Sequence, residues 1–462
     1  MSSNWKTVTL ESVCLKITDG SHFSPKGIKE NGFPMYSVKD MNDFGFEDVG
    51  VKQIAAEDHE RLVQQGCKPQ INDVLIAKDG SVLKHIFKVE NEINATVLSS
   101  IAIIRPDLSK IDPDFLVFAL KNPLVYDNIL NNYVSGSGVP RIVLKDFKKV
   151  TFKAPDTVEE QSAISLKLKS LNSKIHLNIR INKILEEISQ NLYKSWFVNF
   201  HPVRAKVAAK RNGEDPQLAA MITLSGKSLE QIRQLSKEEF QKLAEVANIF
   251  PDELEVTKEG EIPKGWQWST IGKEVDVKGG GTPSTKVKEY WHKGENHWVT
   301  PKDLSPLTDK ILTTTERKIT TLGVRQVSSG ILPVNTVLLS SRAPVGYLAI
   351  SKIPVSINQG FIAMVCTGQL TPEYIIQWAQ QSMPEIIQRA SGTTFLEISK
   401  KNFTSINVII PHKNVLNRYT EHVKANYDLM TNNILSNLKL ANMRDMLQPI
   451  LFAGPLLQSS NG

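Results

Sequence analysis

Between about Val158 and Lys194 the chain carries neither proline nor glycine, and its apolar residues fall on one helical stripe. Ile164, Leu168, Leu171 and Ile175 are spaced 4, 3 and 4 apart, and after a phase slip Ile181, Leu185, Ile188 and Leu192 repeat that rhythm. The spacing predicts a single helix, roughly 55 Å long at ~1.5 Å per residue. A second stripe runs through Val423, Tyr427, Met430, Ile434, Leu438 and Ala441. One long helix cannot bury so narrow a seam alone, so the two helices are expected to pack on each other, antiparallel.

Outside these stripes the pattern shortens. Apolar runs such as VLIA (from Val74), LSSIAIIR (from Leu98), VLLS (from Val337) and FIAMV (from Phe361) are separated by Gly, Pro, Asn and Asp, which predicts strands joined by turns. Helical patterns intervene at about 112–133 and 371–390. They open on Asp112-Pro113 and Thr371-Pro372, a capping residue followed by proline at the first helical position. The whole is a mixed α/β (α+β) fold.

The order of these segments occurs twice. NWKTVTLESV (from Asn4) lines up with GWQWSTIGKE (from Gly265), and YSVKDM (from Tyr36) with VTPKDL (from Val299), which puts Lys39-Asp40 opposite Lys302-Asp303. NDVLIAKDGSV (from Asn72) then faces NTVLLSSRAPV (from Asn335), and SGSGVPRIVLKDFKKVTFKAP (from Ser135) faces SGTTFLEISKKNFTSINVIIP (from Ser391). Four blocks in one order, at an offset of about 260 residues, indicate an internal duplication. Between the copies lies a charged connector, about 201–263, where Ser228 with Gln231 and Ser236 with Glu239 have capping-box spacing, and one or two short helices are expected.

Composition adds a partner class. A hydrophobic share of 41% with 22% charged residues is that of an ordinary globular chain, which excludes a disordered one. The formal charge of +7 favours a polyanionic partner, because Lys and Arg release counterions when they neutralise phosphates. Cys14, Cys67 and Cys366 are too few and too scattered for a disulfide framework or a zinc site, which fits a reducing cytoplasm. No signal-peptide core and no membrane-spanning run is seen.

Catalytic motifs fail one by one. Gly226-Lys227-Ser228 supplies the end of a phosphate-binding loop, but Met221 stands where its first glycine belongs. Asn122-Pro123-Leu124-Val125 lacks the second proline and the aromatic of an amino-methyltransferase tetrapeptide. His292 and His297 have no third ligand nearby. Asp309, Glu316 and Lys318 have the rough spacing of a metal-dependent nuclease core, so an endonuclease with its own metal site stays open as an alternative. A coiled-coil adaptor that touches only proteins is the other.

Several segments resemble the specificity subunits of type I restriction–modification systems. SQNLYKSWFVNFHPVRAK (from Ser189) resembles the end of their first long helix, and GEIPKGWQW (from Gly260) their entry to the second recognition domain. Val277-Lys278-Gly279-Gly280-Gly281-Thr282-Pro283 is similar to a Gly-Gly-Thr-Pro loop of one recognition-domain class, and Asp19-Gly20-Ser21-His22 with Pro25 to a related loop of another. Glu159-Glu160-Gln161-Ser162-Ala163-Ile164 matches the family's Glu-Gln-x-x-Ile helix start, from which Leu416-Asn417 in the second copy departs.

The resemblance implies two target-recognition domains (1–157 and 264–412), two long spacer helices (158–200 and 413–450), the connector (201–263) and a C-terminal tail (451–462). It implies a non-catalytic, cytoplasmic subunit that binds double-stranded DNA. Its partners would be two modification subunits, which bind S-adenosylmethionine and methylate adenine, and optionally restriction subunits that use ATP and Mg²⁺; no cofactor is expected on this chain. Two diverged copies can read two different half-sites, so an asymmetric bipartite target is expected, its unread gap set by the helices.

Base and phosphate contacts draw on polar loop side chains. In the first copy the candidates are Thr18, Ser21, His22, Lys39, Lys78, Asp79, Ser99 and Arg141; in the second they are Lys278, Gly280, Thr282, Ser284, Lys302, Arg342, Asn358, Gln359 and Thr393. Glycines 279–281 would let the backbone approach phosphate. Trp196 and Phe197, ending an apolar helix, are candidates for packing as core or against a partner subunit.

Overall fold

Both sequence-predicted helix starts form as written. The Asp112 carboxylate accepts from the Phe115 N–H at 2.7 Å, and the Thr371 hydroxyl accepts from the Tyr374 N–H at 3.4 Å, each with proline in the first turn. The computed structural model describes residues 4–136, 138–392 and 396–452. The chain divides into two units: Met1–Leu177 with Asn437–Gly462, and Asn178–Ser436.

In the first unit an antiparallel sheet orders its strands Cys14–Asp19, Ile101–Pro106, Val74–Ala77 and Ile86–Lys88. A three-stranded sheet orders Lys52–Ile54, Phe33–Tyr36 and Thr96–Val97, the last pair parallel, and Trp5–Thr9 pairs with Thr151–Pro155. The second unit repeats this arrangement. Its larger sheet runs Asp276–Gly279, Phe361–Val365, Val337–Ser341 and Val345–Ser351, with Ile311–Leu312 added in parallel at the edge. Its three-stranded sheet runs Arg317–Ile319, Asn296–Val299 and Val355–Ile357, again with one parallel pair, and Gln267–Thr270 pairs with Asn407–Ile410. The duplication read from four weak sequence blocks is thus a duplication of topology. In each unit apolar residues of the sheet pack against a helix, Pro113–Lys121 or Pro372–Gln381.

The long helices span Val158–Tyr193 (36 residues) and Lys413–Phe452 (40 residues). Within each unit their segments run antiparallel. In the second unit Asn426 donates to the Ser189 hydroxyl at 3.2 Å and Asn433 to the Asn182 side-chain oxygen at 2.9 Å; in the first, Arg444 donates to Asn172 at 3.0 Å. The seam is more polar than the stripe suggested. Asn178, Asn182 and Ser189 are wholly buried, whereas Ile188 and Leu438 are 50% and 45% exposed. A straight helix drifts against a 3.5-residue repeat, so a stripe followed over many turns leaves the seam.

The connector corrects the expectation of one or two helices. Four form: His201–Asn212, Pro216–Ser225, Leu229–Arg233 and Lys237–Asn248. Pro202 and Pro216 open the first two, Gly213 and Gly226 close them, and both expected capping boxes begin the others. Ala220, Met221, Ile232 and Ala247 give the last three of these helices a small core. Among the described residues no helix is long and apolar enough to cross a membrane.

Candidate nucleic-acid interface

At one end of each unit the ends of strands converge on a short segment, 97–100 in the first unit and 357–360 in the second, with the same hydrogen bonds. Leu98 N–H donates to the Tyr36 carbonyl at 2.8 Å, and Asn358 N–H to the Val299 carbonyl at 3.0 Å. Lys78 N–H donates to the Ser100 carbonyl and Ser341 N–H to the Gly360 carbonyl, each at 2.8 Å. Ser21 N–H reaches the Val97 carbonyl at 2.9 Å, and Gly281 N–H the Ile357 carbonyl at 3.0 Å. These bonds equate Gly20 with Gly280, Ser99 with Gln359 and Ser100 with Gly360.

Local chemistry repeats with them. After Tyr36, Asp40 accepts from the Ser37 N–H at 2.7 Å; after Val299, Asp303 accepts from the Thr300 N–H at 2.8 Å. In both turns the aspartate is occupied by capping, which leaves Lys39 or Lys302 exposed beside it. Gly20 and Gly280 pass so close to the neighbouring strand end that a Cβ would lie 2.1 Å from the Val97 or Ile357 carbonyl oxygen. Ser100 accepts from the Val38 N–H at 3.2 Å; its counterpart Gly360 has no side chain and faces Pro301, which has no N–H.

The sequence-derived candidates divide on this frame. In the first unit, Ser21, Lys78, Asp79, Ser99 and Arg141 come together: Ser99 N–H donates to the Ser21 carbonyl at 2.9 Å, and Asp79 bridges to Arg141 backbone to backbone. His22 is exposed with Asp19 at 3.3 Å, and the half-buried Thr18 hydroxyl donates to the Asp19 carbonyl at 3.4 Å. In the second unit, Gly280, Thr282, Lys302, Arg342, Asn358 and Gln359 gather, and the Thr282 hydroxyl bonds the Gln359 side chain. Lys278 instead turns to Asp276 on its own strand at 2.8 Å. Ser284 is exposed, its carbonyl taken by the Trp291 indole N–H at 3.0 Å. Thr393 lies outside the described residues.

Several roles need correction. The Lys78 ammonium is 8% exposed and held by Asp19 at 3.1 Å and Asp79 at 3.3 Å, so it ties the loop together and is not free for phosphate. Ser21 is buried, its hydroxyl donating to the Phe23 carbonyl at 2.7 Å. Gly280 is glycine because its own backbone neighbours demand it, not because it leaves room for phosphate. The Asn358 side chain accepts from the Gly360 N–H at 2.9 Å and so closes a turn. Trp196 and Phe197, 3% and 2% exposed, pack among Phe250, Tyr374, Tyr419 and Trp266. Both rings are packed in the chain's own core, the first of the two alternatives the sequence offered.

Other groups went unforeseen. Trp298 donates its indole N–H to the Gly281 carbonyl at 3.1 Å, so two tryptophans brace the glycine-rich loop, and the Arg317 guanidinium lies 3.8 Å from the Trp291 ring centroid. Glu397 sits opposite Arg342, with Nη1 to Oε2 at 3.7 Å. Its signal was present in the aligned blocks, where Arg141 faces Glu397 and Asp79 faces Arg342.

The residues weighed for catalysis do not assemble. Asp309 accepts from Asn182 at 3.2 Å, and burial raises its carboxyl above the usual range against that hydrogen bond. Glu316 pairs with Lys302 at 3.0 Å. Among the described residues no group of three or more His, Cys, Asp or Glu is placed to hold a metal ion. Burial, with Asp107 or Glu373 nearby, pushes the Cys14 and Cys366 thiols up to about 12, which keeps them protonated and unreactive.

Fold and site together define a chain of two tandem, diverged recognition heads, each with its own antiparallel helix segments. It belongs to the type I restriction modification DNA specificity domain family, whose model matches residues 2–187 and again 263–434. It is 28% identical over 386 residues to the type I restriction enzyme HindI specificity subunit of Haemophilus influenzae, covering 80% of this chain and 83% of that one. It is 38% identical over 161 residues to the MjaIX specificity subunit of Methanocaldococcus jannaschii, 34% of this chain and 37% of the relative. In fold it is similar to the crystal structure of a type I restriction–modification S subunit from M. genitalium, with a TM-score of 0.56 and 14% identity over 97% of this chain and 96% of that one.

Proposed function

We propose that the chain reads DNA sequence for a type I restriction–modification complex and leaves the chemistry to other subunits. One observation carries this: a single hydrogen-bonded frame occurs twice, and it presents different side chains in the two heads. A common frame docks both heads on the duplex in the same way, while diverged side chains meet different base edges. The target is therefore two unlike half-sites with an unread gap, set by the helical segments that both heads carry. Two modification subunits bring S-adenosylmethionine. Restriction subunits, where present, bring the ATP- and Mg²⁺-dependent steps, and the complex acts in the cytoplasm.

Expressing the full chain with its modification subunits in a host free of other adenine methylation, and mapping methylated adenines, tests this. One asymmetric bipartite motif is expected. A palindrome, or no motif, would refute it. Mg²⁺-dependent cleavage by the chain alone, lost on Glu316→Ala, would transfer the function to a nuclease.

A further inference from the structure

The frame that the heads share carries one pair of positions at which the charges are exchanged. In the first unit, Asp79 forms an isolated antiparallel bridge with Arg141; in the second, Arg342 forms the same bridge with Glu397. The hydrogen bonds on either side agree. Ile142 N–H donates to the Lys78 carbonyl and Ile398 N–H to the Ser341 carbonyl, both at 3.0 Å. Arg141 pairs in register with Ser135, and Glu397 exchanges two 3.0 Å backbone bonds with Ser391. The following residues, Gly80 and Ala343, share left-handed backbone at φ 74° and 51°. Asp79 and Arg342 therefore occupy one place, and Arg141 and Glu397 the place across from it.

In the first unit Arg141 is exposed, while Asp79 is 27% exposed and also holds Lys78 at 3.3 Å, so reading a base costs it part of that pairing. In the second unit the pair is 35% and 47% exposed and 3.7 Å apart, so water screens it and either side chain can exchange its partner for a base edge. The two groups ask for opposite things. A guanidinium donates two parallel N–H bonds and suits the guanine O6 and N7 acceptors; a carboxylate only accepts, suits the amino group of cytosine or adenine, and repels the guanine edge. An acid and a base side by side match the two edges of one guanine–cytosine pair.

We propose that positions 79/141 and 342/397 are the specificity-determining pair of each head, and that they read equivalent base pairs in opposite orientation, guanine–cytosine in one half-site and cytosine–guanine in the other. This rests on the DNA-reading function above. It adds Glu397 to the reading residues and gives Asp79 and Arg141 a joint task.

The test converts the second frame to the charge order of the first with Arg342→Asp plus Glu397→Arg in the full chain, expressed with its modification subunits, and maps methylated motifs. The expected result is a motif changed at one base pair of one half-site, with the other half-site and the gap retained. An unchanged motif overturns the proposal while leaving the DNA-reading function intact. Absence of any motif from the unaltered chain would sink that function first. Should the double variant give no methylation, Glu397→Gln decides, because it keeps the side chain's shape: relaxed choice at that one base pair supports the proposal, and undiminished choice overturns it.

Discussion

Gly280→Ala isolates the geometry on which each head depends. The added Cβ would stand 2.1 Å from the Ile357 oxygen, 2.2 Å from the Asn358 oxygen and 2.6 Å from the Ile357 carbonyl carbon. Non-bonded heavy atoms settle near ~3.5 Å, so the loop or the strand end must move by more than about 1 Å. All three neighbours are backbone and cannot swing aside. The shift breaks or stretches the 3.0 Å bond from Gly281 N–H to Ile357 and loads the 3.0 Å bond from Asn358 N–H to Val299. Overpacking of about 1–3 kcal/mol plus a backbone hydrogen bond of about 1 kcal/mol gives roughly 2–4 kcal/mol. For a unit of this size that lowers the melting midpoint by about 4–16 °C. Gly279→Ala, one residue away, meets nothing within 4 Å and should stay within about 0.5 kcal/mol. Calorimetry of the full chain measures both, and methylation mapping should show discrimination lost in one half-site for Gly280→Ala only. Gly20→Ala, with its Cβ 2.1 Å from the Val97 oxygen, should weaken the opposite half-site. If Gly280→Ala melts and discriminates like the parent, the close approach is not what shapes the loop.

Four further outcomes are expected. DNA affinity should fall steeply with salt, and Lys302→Ala, which removes an exposed cation, should weaken all sequences alike and reduce the salt slope by about 1; a changed base preference would contradict a phosphate role. Trp196→Ala should cost about 3–5 kcal/mol of stability in denaturant titration, whereas a variant as stable as the parent that no longer bound modification subunits would restore the partner role. Burial pushes the Glu186 carboxyl up, but Lys310 at 2.6 Å, with bonds from Gln190 and Tyr427, outweighs it and holds the group below its ordinary 4.5. The pair therefore stabilises the second unit above that value and is lost as pH falls through and below it. Glu186→Gln should flatten the acid limb of stability against pH, and an unaltered limb would reject the pairing. Inserting one turn in both long helices, ~5.4 Å, should lengthen the unread gap by about one to two base pairs at ~3.4 Å each; an unchanged gap would reject the helices as its measure.

Much of this frame could be read in one dimension. Order is local, so the blocks at Tyr36 and Val299, Asn72 and Asn335, and Ser135 and Ser391 marked the duplication, and the caps at Asp112, Thr371, Ser228 and Ser236 marked helix starts. Roles were harder. Lys78 looked like a free cation because a sequence does not show that Asp19 lies within reach, whereas Ser21 and Asn358 bond residues two positions on, a turn use that loop polar residues share with base contact. Ile188 and Leu438 looked buried because a stripe does not reveal where its drift carries it out of the seam.

By itself the chain determined that there are two copies, that each alternates strands with a capped helix, and that a long helix follows each, the first of them free of proline and glycine. These follow from periodicity and backbone restriction, which act over a few residues. Only the tertiary structure decided which polar groups are satisfied at home and which stay available to a ligand. It also decided that Arg342 and Glu397, which the aligned blocks set opposite Asp79 and Arg141, face each other across one backbone bridge as those two do. Burial, and pairings such as Lys78 with Asp19, depend on neighbours far apart in sequence, and only the folded chain chooses them.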